Sequence, residues 1–273
     1  MDHRQRFLYQ ITQPDENIDL LEAALCIAAA LKPEVDLKHT HKQLQQLAET
    51  ARFQVKLHGS TEDICARLCD YIHKSQGFVG NDEDFYDPNN SFMDQVIERR
   101  QGIPITLALL YIHIGRSIGL DIRGLGFPGH FLVKASGDSE VVIDPFHGVV
   151  LDEADCYARL ERASHPAELL NAYLAPISSK NILARILSNL KLIYMKQKDY
   201  SESLTCCEWR LLIDPDNAQD ILDGAVILEK LECFDSAATE LERLLILAPE
   251  SRIAPTLRAK IASLRENNIT KLH

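Results

Sequence analysis

The chain has 273 residues, 46% of them hydrophobic, and a formal net charge of -11 at pH 7. This length is typical of two domains, and the negative charge would repel the phosphates of a nucleic acid, so we do not expect a nucleic-acid partner. The N-terminus is polar and no apolar run approaches the ~20 residues of a membrane helix, which predicts an untargeted cytoplasmic protein without a membrane contact.

The seven cysteines also favour the cytoplasm. They are odd in number, scattered along the chain and mostly inside helical patterns. A disulfide framework would instead show paired cysteines at regular spacings. We therefore expect reduced thiols.

The first third of the chain reads as helices. Apolar residues recur at helical spacing in residues 18–31, and Pro33 ends the pattern. Two more helices are predicted at 41–51 and 61–74, the second with Glu62 and Asp63 in its first turn.

A loop rich in turn residues follows, at 77–91, and its aromatic residues indicate an ordered loop rather than a linker. Asn90 or Ser91 is predicted to cap the next helix, which would run through Arg100. Pro104 then opens a helix to residue 118 that is apolar nearly all round, so we expect it at the centre of the domain.

After this helix the hydrophobic period changes from helical to two. Residues 122–125, 131–135 and 141–143 alternate as strands do, with a turn at 136–139. They predict a small antiparallel sheet packed on the central helix.

From about residue 181 onward the strand signals vanish and a repeat begins. Similar residues recur 34 positions apart, which is the period of tetratricopeptide repeats. The pairs are Pro215 and Pro249, Tyr200 and Phe234, and Leu211 and Leu245. This predicts repeats at 184–217 and 218–251 and a closing helix near 253–264. Leu190, Lys191 and Arg210 depart from the pattern, which favours small residues at their positions.

Four segments resemble a known family. They are YDPNNS at 86–91, ERRQGIPI at 98–105, PGHFLV at 128–133 and IDPF at 143–146. Together they resemble the core of the transglutaminase-like superfamily, and more closely the bacterial SirB family. The resemblance implies an α+β fold, with a helix-rich, papain-like domain carrying a small antiparallel sheet at 1–178 and an all-α tetratricopeptide-type array at 179–273.

The resemblance aligns the superfamily's cysteine nucleophile with Pro104, counting back from Arg116 and Gly119. Proline supplies neither a nucleophile nor an N–H group, so the Cys–His–Asp set would lack its first member and thiol chemistry should be absent. Thr106 lies in the same helix, but a hydroxyl requires stronger activation than a thiol, and its ordinary role is a polar first-turn residue.

His130 and Asp144 would complete the remnant site. A three-residue hairpin loop centred on Gly137 places them opposite each other, with Cβ atoms about 5 Å apart. A four-residue loop would put them on opposite faces of the sheet. The pair is either a functional cleft or a buried histidine satisfied by a neighbouring carboxylate.

Further residues are candidates for lining this cleft. Tyr86, Asp87 and Asn90 come from the loop, while Arg99 and Arg100 precede the central helix. The arginines could clamp a carboxylate of a peptide or pair internally with Asp87, and we favour the internal pairing.

Metal and cofactor signals are weak. Cys65, Cys69 and His73 share one helix face at ligand spacing, but such cysteines are more often small core residues. The acidic loop at 82–84 with Asp87 lacks the order of a calcium hand and reads as solvated. We predict no metal and no cofactor.

Two functions remain open. The first is a non-catalytic protein-interaction or regulatory protein, binding a protein or peptide through the repeats or the remnant cleft. The alternative is a hydrolase or amide-transfer enzyme using His130 and Asp144 without a thiol, so the sequence leans against an enzyme without excluding one.

Overall fold

A computed structural model of the chain describes residues 2–271, with side chains as far as residue 267. It is 65% helical with a small antiparallel sheet, which confirms the predicted fold class. The chain forms two compact units, Met1–Ile186 and Leu187–His273. The boundary expected at residues 178 and 179 stays a prediction, because one helix begins at Ser179 and continues into the second unit.

The first unit is mostly helical, and most of its helices precede the sheet in the sequence. In chain order they are α1 (His3–Ile11), α2 (Leu20–Leu31), α3 (Leu37–Gln54), α4 (Thr61–Cys69), α5 (Met93–Arg99), α6 (Pro104–Ser117), α7 (Glu153–Arg162) and α8 (Leu170–Tyr173). Aspartate and serine side chains begin several of them: Asp19, Asp36 and Ser60 accept hydrogen bonds from the first-turn N–H groups of α2, α3 and α4.

Two helix predictions differ from the structure in detail. The third predicted helix changes to a π-helical turn at Asp70–Ser75, which contains His73. Neither Asn90 nor Ser91 caps α5, because both lie in the 3₁₀ turn Pro88–Ser91 and the N-cap position is Phe92. The side chain of Asn90 is engaged inside the loop instead.

The sheet is an antiparallel meander of four strands. They are β3 (Asp121–Leu125), β4 (Leu132–Ser136), β5 (Glu140–Asp144) and β6 (Val149–Leu151), in that spatial order, while β1 (Val79–Gly80) and β2 (Gln101–Gly102) form a separate parallel pair. Strand β6 and helices α7 and α8 lie outside the elements predicted from the sequence.

The predicted register of the β4–β5 hairpin is wrong by two residues. Val133 pairs with Ile143 and Ser136 with Glu140, so the three-residue loop is centred on Asp138 rather than Gly137. A shift of two preserves which face each residue occupies. The cross-strand pair of His130 and Asp144 is therefore absent, since His130 lies before β4 begins.

Helix α6 is buried along nearly its whole length and packs against β3 and β4 on one side and α2, α3 and α5 on the other. The opposite face of the sheet is covered by α7 and α8. The buried residues of this second cluster come from the strands, the loop after β3 and the two helices: Leu125, Phe127, Leu132, Leu151, Cys156, Leu160 and Leu170. Both faces of the small sheet are thus covered.

The second unit is a helical array. It comprises the end of α9 (Ser179–Gln197), then α10 (Tyr200–Ile213), α11 (Ala218–Lys230), α12 (Phe234–Leu247) and α13 (Ala254–Lys271). Helices α10 and α12 begin and end 34 residues apart, as the sequence repeat predicts.

Buried ion pairs involve two of the three residues that depart from the repeat pattern, Lys191 and Arg210. Lys191 contacts Asp220 at 3.3 Å and Asp223 at 2.5 Å, and Arg210 contacts Asp220 at 2.5 Å. The long basic side chains fill the space that small residues leave in a regular repeat, and their charges are compensated. Along the described part of the chain, no helix is both long and apolar enough to span a membrane.

Candidate functional site

The carboxylate of Asp144 organises the site at the end of β5. Its side chain is only 1% exposed. The backbone N–H of Phe146 donates to one oxygen at 3.0 Å, while His147 Nδ1 and an Arg159 nitrogen contact the other at 2.9 and 3.2 Å. Burial opposes the charge, but the hydrogen bonds and the attraction of His147 and Arg159 outweigh it and hold the pKa of Asp144 below its usual value.

His147 presents an oriented imidazole to solvent. Its side chain is 52% exposed, and its Nδ1 atom faces the buried carboxylate. The carboxylate fixes Nδ1 as the hydrogen-bond donor, which leaves Nε2 as the proton-accepting atom of the neutral ring. This geometry orients a general base or a hydrogen-bonding group.

His130 lies near this pair without joining it. Within residues 2–267 its ring makes no hydrogen bond, and its backbone N–H donates to Phe127 at 3.2 Å in a tight turn. Burial lowers the pKa of His130; attraction by Asp144 opposes that shift, and repulsion from Arg159, His147 and Arg162 adds to it. Asp144 is thus paired with His147 rather than with His130.

The first turn of α6 has no free nucleophile. Pro104 is its first residue, and Thr106 is fully buried. The Thr106 hydroxyl donates to the carbonyl oxygen of Asn90 at 2.7 Å and accepts from the backbone N–H of Ile103 at 3.1 Å. A hydroxyl engaged in this way stabilises the turn and is closed to a substrate.

The loop residues predicted for the cleft fall into two groups. Asp87 forms an ion pair with Arg99 at 2.7 Å, and the Asn90 amide donates to the Asp84 carbonyl at 2.7 Å, so these side chains hold the loop together. Tyr86 is exposed at 60%. Its ring contacts Phe85 edge-on, with 5.6 Å between the centroids.

Aromatic contacts join this loop to the Asp144 site. The Phe85 ring lies 6.4 Å from that of Phe146, and the Phe146 ring lies 5.2 Å from His147. Gly80 is required beneath them, because a Cβ atom there would lie 2.4 Å from the Phe146 ring. The exposed Tyr86 and the exposed imidazole are therefore two ends of one row of rings.

Arg100 does not take part in the site. Its guanidinium stacks over the Phe78 ring at 4.5 Å, and its backbone has a left-handed φ of 58°. Burial lowers its pKa, and attraction by Tyr71 only partly offsets this. The residue ends α5 and packs on the core.

The cysteines beside His73 have no exposed thiolate. Burial raises the pKa of Cys65 to about 12 and that of Cys69 to about 11. His73 donates instead to the backbone of Pro145, and a Cβ atom at Gly148 would lie 2.4 Å from its ring. No group of three or more potential ligands with metal-binding geometry occurs among the described residues.

Two residues of the site, His147 and Arg159, were not predicted from the sequence. His147 carries a local signal, because an aspartate at the end of a strand accepts from the residues two and three positions later in the turn. Arg159 has no such signal, since it reaches Asp144 from α7, 15 residues away along the chain.

A separate cleft of about 680 Å³ lies along the sheet edge and α7, lined by Val142, Leu151 and Cys156 among others. None of the site residues predicted from the sequence lines it. The candidate site is therefore the pair of Asp144 and His147, which includes a residue predicted from the sequence.

Comparisons with known proteins agree with this architecture. Residues 38–188 match the transglutaminase-like superfamily, and residues 190–262 match the tetratricopeptide repeat. The Salmonella typhimurium protein SirB1 is 23% identical over 93% of this chain and 95% of its own length. The chain is a SirB-family protein.

Two relatives named UPF0162 match the chain over a similar extent. A UPF0162 protein of Xylella fastidiosa is 30% identical over 94% of both chains, and one of Vibrio cholerae is 28% identical over 95% of this chain and 98% of its own. No solved structure matches the chain. In this SirB-family protein, the assignment of Pro104 to the nucleophile position stays a prediction from the sequence.

Proposed function

We propose that the protein is a non-catalytic protein-interaction or regulatory protein of the cytoplasm, built on a transglutaminase-like domain that lacks its cysteine nucleophile. The observation that carries the proposal is the first turn of α6, where Pro104 stands first and the Thr106 hydroxyl is buried and hydrogen-bonded. A fold does not by itself imply an activity, so a domain without a nucleophile can still serve as a binding module.

Other thiols do not replace the missing nucleophile. Six of the seven cysteines are buried, and Cys233 is exposed. Burial raises the pKa of Cys69 and of Cys156 to about 11, so neither supplies a thiolate near neutral pH. Free thiols throughout the chain also support the cytoplasmic location.

The repeats supply a surface suited to a protein partner. Leu192 on α9 and Val226 on α11 occupy equivalent positions 34 residues apart, and they are 58% and 42% exposed. Apolar side chains exposed at the same position of successive repeats form a stripe that a partner helix or peptide can cover.

The test is affinity capture from the native cytoplasm with wild type and with the double variant Leu192→Glu, Val226→Glu. The matched control is Phe53→Glu, Leu57→Glu, which changes two exposed apolar residues of the first unit. We expect a stoichiometric partner that wild type and the control retain and that the repeat variant loses. Retention by both variants would refute the repeat surface.

The same protein should show no amide hydrolysis or amine transfer on glutamine-containing peptides. Turnover that persists in the variant in which every cysteine is replaced by serine would refute the non-catalytic proposal. Turnover by the wild-type protein would refute the proposal in any case, and its loss in a single-cysteine variant that stays folded would assign it to that thiol.

A second candidate function is a hydrolase or amide-transfer enzyme that uses a histidine base and water instead of a thiol. The contact between His147 Nδ1 and Asp144 at 2.9 Å favours it, because an oriented imidazole is what such a base requires. It predicts turnover that His147→Ala abolishes with the fold intact. If turnover is lost in His130→Ala but not in His147→Ala, His130 is the base, as the sequence suggests.

A further inference from the structure

Positively charged and titratable side chains converge around the Asp144 carboxylate in the first unit. His147 and Arg159 contact this carboxylate directly. His130 and Arg162 lie close by, because the charges of the other four residues all act on the His130 ring. The whole chain carries a formal net charge of -11. Two arginines and two histidines around a single carboxylate therefore form a local surface whose charge is opposite to that of the protein.

Backbone packing brings the end of α7 to the turn that carries His130. In this turn Gly129 has a left-handed φ of 70°. A Cβ atom at Gly129 would lie 4.0 Å from the Cβ atom of Ala163, the residue that follows Arg162. Arg159 lies about one turn earlier on the same helix. Helix α7 thus spans the distance between the carboxylate at the end of β5 and the turn before β4.

Two members of this cluster have no counter-charge of their own among residues 2–267. Arg162 is exposed and forms no ion pair there, and the His130 ring makes no hydrogen bond. The Asp144 carboxylate is buried and already occupied by its donors. With Asp144 ionised, the two guanidinium groups leave the cluster positively charged, and each protonated histidine adds to the excess. Because like charges repel, an anion that joins them is favoured.

His147 offers a contact of the kind that an anion requires. Its Nδ1 atom faces Asp144, and its side chain is 52% exposed, which leaves the Nε2 edge of the ring toward solvent. When the ring is protonated, Nε2–H becomes a donor whose direction is set by the Asp144 contact. Arg162 adds a planar guanidinium, whose paired N–H groups match the two oxygens of a carboxylate.

The row of rings beside His147 supplies an apolar surface next to this cluster. Phe146 contacts His147, and the row continues through Phe85 to Tyr86. Phe85 and Tyr86 are 42% and 60% exposed. The acidic residues 82–84 adjoin Phe85 at the other end of the row. A ligand that is both acidic and apolar is therefore oriented with its acidic group at the His147 end.

We propose that the Asp144 site binds a carboxylate group of a partner peptide, received by His147 and Arg162, while an adjacent apolar side chain of the peptide lies on the row of rings. A carboxylate fits better than a phosphate, because the buried Asp144 charge repels a dianion more strongly than a monoanion. The inference rests on the proposed binding role of the protein and names the chemistry of the partner at this site. It does not depend on the repeat surface.

The test is calorimetric titration of the full chain with three synthetic peptides. The first is acetylated and amidated, with glutamate between two phenylalanines. The second has glutamine in place of that glutamate, and the third ends in phenylalanine with a free C-terminal carboxylate. We expect saturable one-to-one binding of a carboxylate peptide that weakens as salt is raised, and at least tenfold weaker binding of the glutamine peptide. The tighter of the two carboxylate peptides assigns the group to an acidic side chain or to a chain end.

Two variants with matched controls locate the site. His147→Gln should weaken binding of the carboxylate peptide at least fivefold, and Arg162→Gln should weaken it severalfold. Arg4→Gln and His39→Gln change exposed residues elsewhere in the first unit and should leave the affinity unchanged. Arg162 is exposed, so its variant keeps the test valid if His147→Gln does not fold.

The pH dependence of binding separates a direct contact from a structural role. The charged groups that act on the two histidines of the site come from β5, α7 and the π-helical turn: Asp144, Arg159, Arg162 and His73. A bound anion favours protonated histidine, so the affinity should rise at least threefold from pH 8 to pH 6. The imidazole ¹⁵N signals of His130 and His147 should shift with the glutamate peptide and not with the glutamine peptide.

Three results would each overturn the inference. They are equal affinity for the glutamate and glutamine peptides, absence of binding by every peptide, and binding of inorganic phosphate more tightly than either carboxylate peptide. If a repeat-dependent partner is captured in that case, the proposed function stands and only this inference fails. If no partner is captured either, both fail.

Discussion

Four donors around one buried carboxylate make Asp144 the residue on which the candidate site depends. Two backbone N–H groups, an imidazole and a guanidinium converge on its two oxygens. His147 is oriented by this contact and by the edge of the Phe146 ring, while the rest of its imidazole reaches solvent. Any loss of the turn after β5 would therefore also remove the orientation of the His147 ring.

Replacing Asp144 by asparagine should lower the free energy of unfolding by about 3 kcal/mol, because Arg159 would lose the charge that compensates it in a buried setting. Urea unfolding monitored by circular dichroism measures this loss. The control is Asp121→Asn, which breaks an exposed pair with Arg123 and should cost under about 1 kcal/mol. Equal losses would mean that the Asp144 pair is solvated in the folded protein.

Thiol accessibility gives a second test at the residue scale. Cys233 is the exposed cysteine, and the other six are buried. Under native conditions iodoacetamide should label one thiol per chain, and Cys233→Ser should abolish that labelling. Labelling of Cys69 or Cys156 in the native protein would show that a thiol opens to solvent, which would reopen the question of thiol chemistry.

Two glycines inside helices, Gly115 and Gly224, differ in how closely other residues pack against them. A Cβ atom at Gly115 in α6 would lie 2.2 Å from the Cδ1 atom of Ile122, whereas one at Gly224 in α11 would meet no atom within 4 Å. The first glycine lets strand β3 approach the central helix. The second leaves open space.

Alanine at the two positions should therefore have opposite effects. Gly224→Ala should raise the free energy of unfolding by about 0.5–1 kcal/mol, since alanine restricts the unfolded chain and favours the helix. Gly115→Ala should lower it by about 1–3 kcal/mol by overpacking. Thermal and urea unfolding measure both, and a loss of stability in Gly224→Ala would show that the space beside the buried Gly224 is filled in the folded protein.

In the β4–β5 hairpin, the alternation of apolar residues predicts which face each residue occupies but not where the turn is centred. The pattern assigns Val133 and Ile143 to the same buried face, and the structure agrees. The turn centre was displaced by one residue, because Asp138 is drawn to Thr61, whose backbone N–H donates to its carboxylate at 2.8 Å. The residues of the turn do not by themselves specify the strand register. The observed register goes with a contact between two residues that are 77 positions apart in the sequence.

For the whole first unit, histidine burial links stability to pH. Burial lowers the pKa values of His73, His113 and His130, in each case against a smaller attraction from a nearby acidic or backbone group. The unfolded chain has histidine pKa values near ~6.5. As the pH falls below that value, the unfolded state binds protons that the folded state does not, until the lowered pKa of each histidine is reached.

Stability should accordingly fall between about pH 6.5 and pH 5 and be nearly constant from about pH 7 to pH 8. Urea unfolding across this range measures the slope. His113→Gln should flatten it, because the buried His113 Nε2 atom has no partner in the folded protein, whereas exposed His39→Gln should leave it unchanged. An unchanged slope in His113→Gln would place the uptake of protons at the other two histidines.

The sequence by itself determined the helix-rich α+β fold, the 34-residue repeat and the family, because periodicity and short motifs are local properties of the chain. It also placed Thr106 and Asp144 among the candidate residues, since a first-turn polar residue and a strand-ending aspartate are recognisable from their neighbours. Only the tertiary structure decided that Asp144 pairs with His147 and Arg159 and that the expected pair with His130 does not form. Those facts depend on which elements come together in space, and burial and electrostatic partners are set there rather than by sequence spacing.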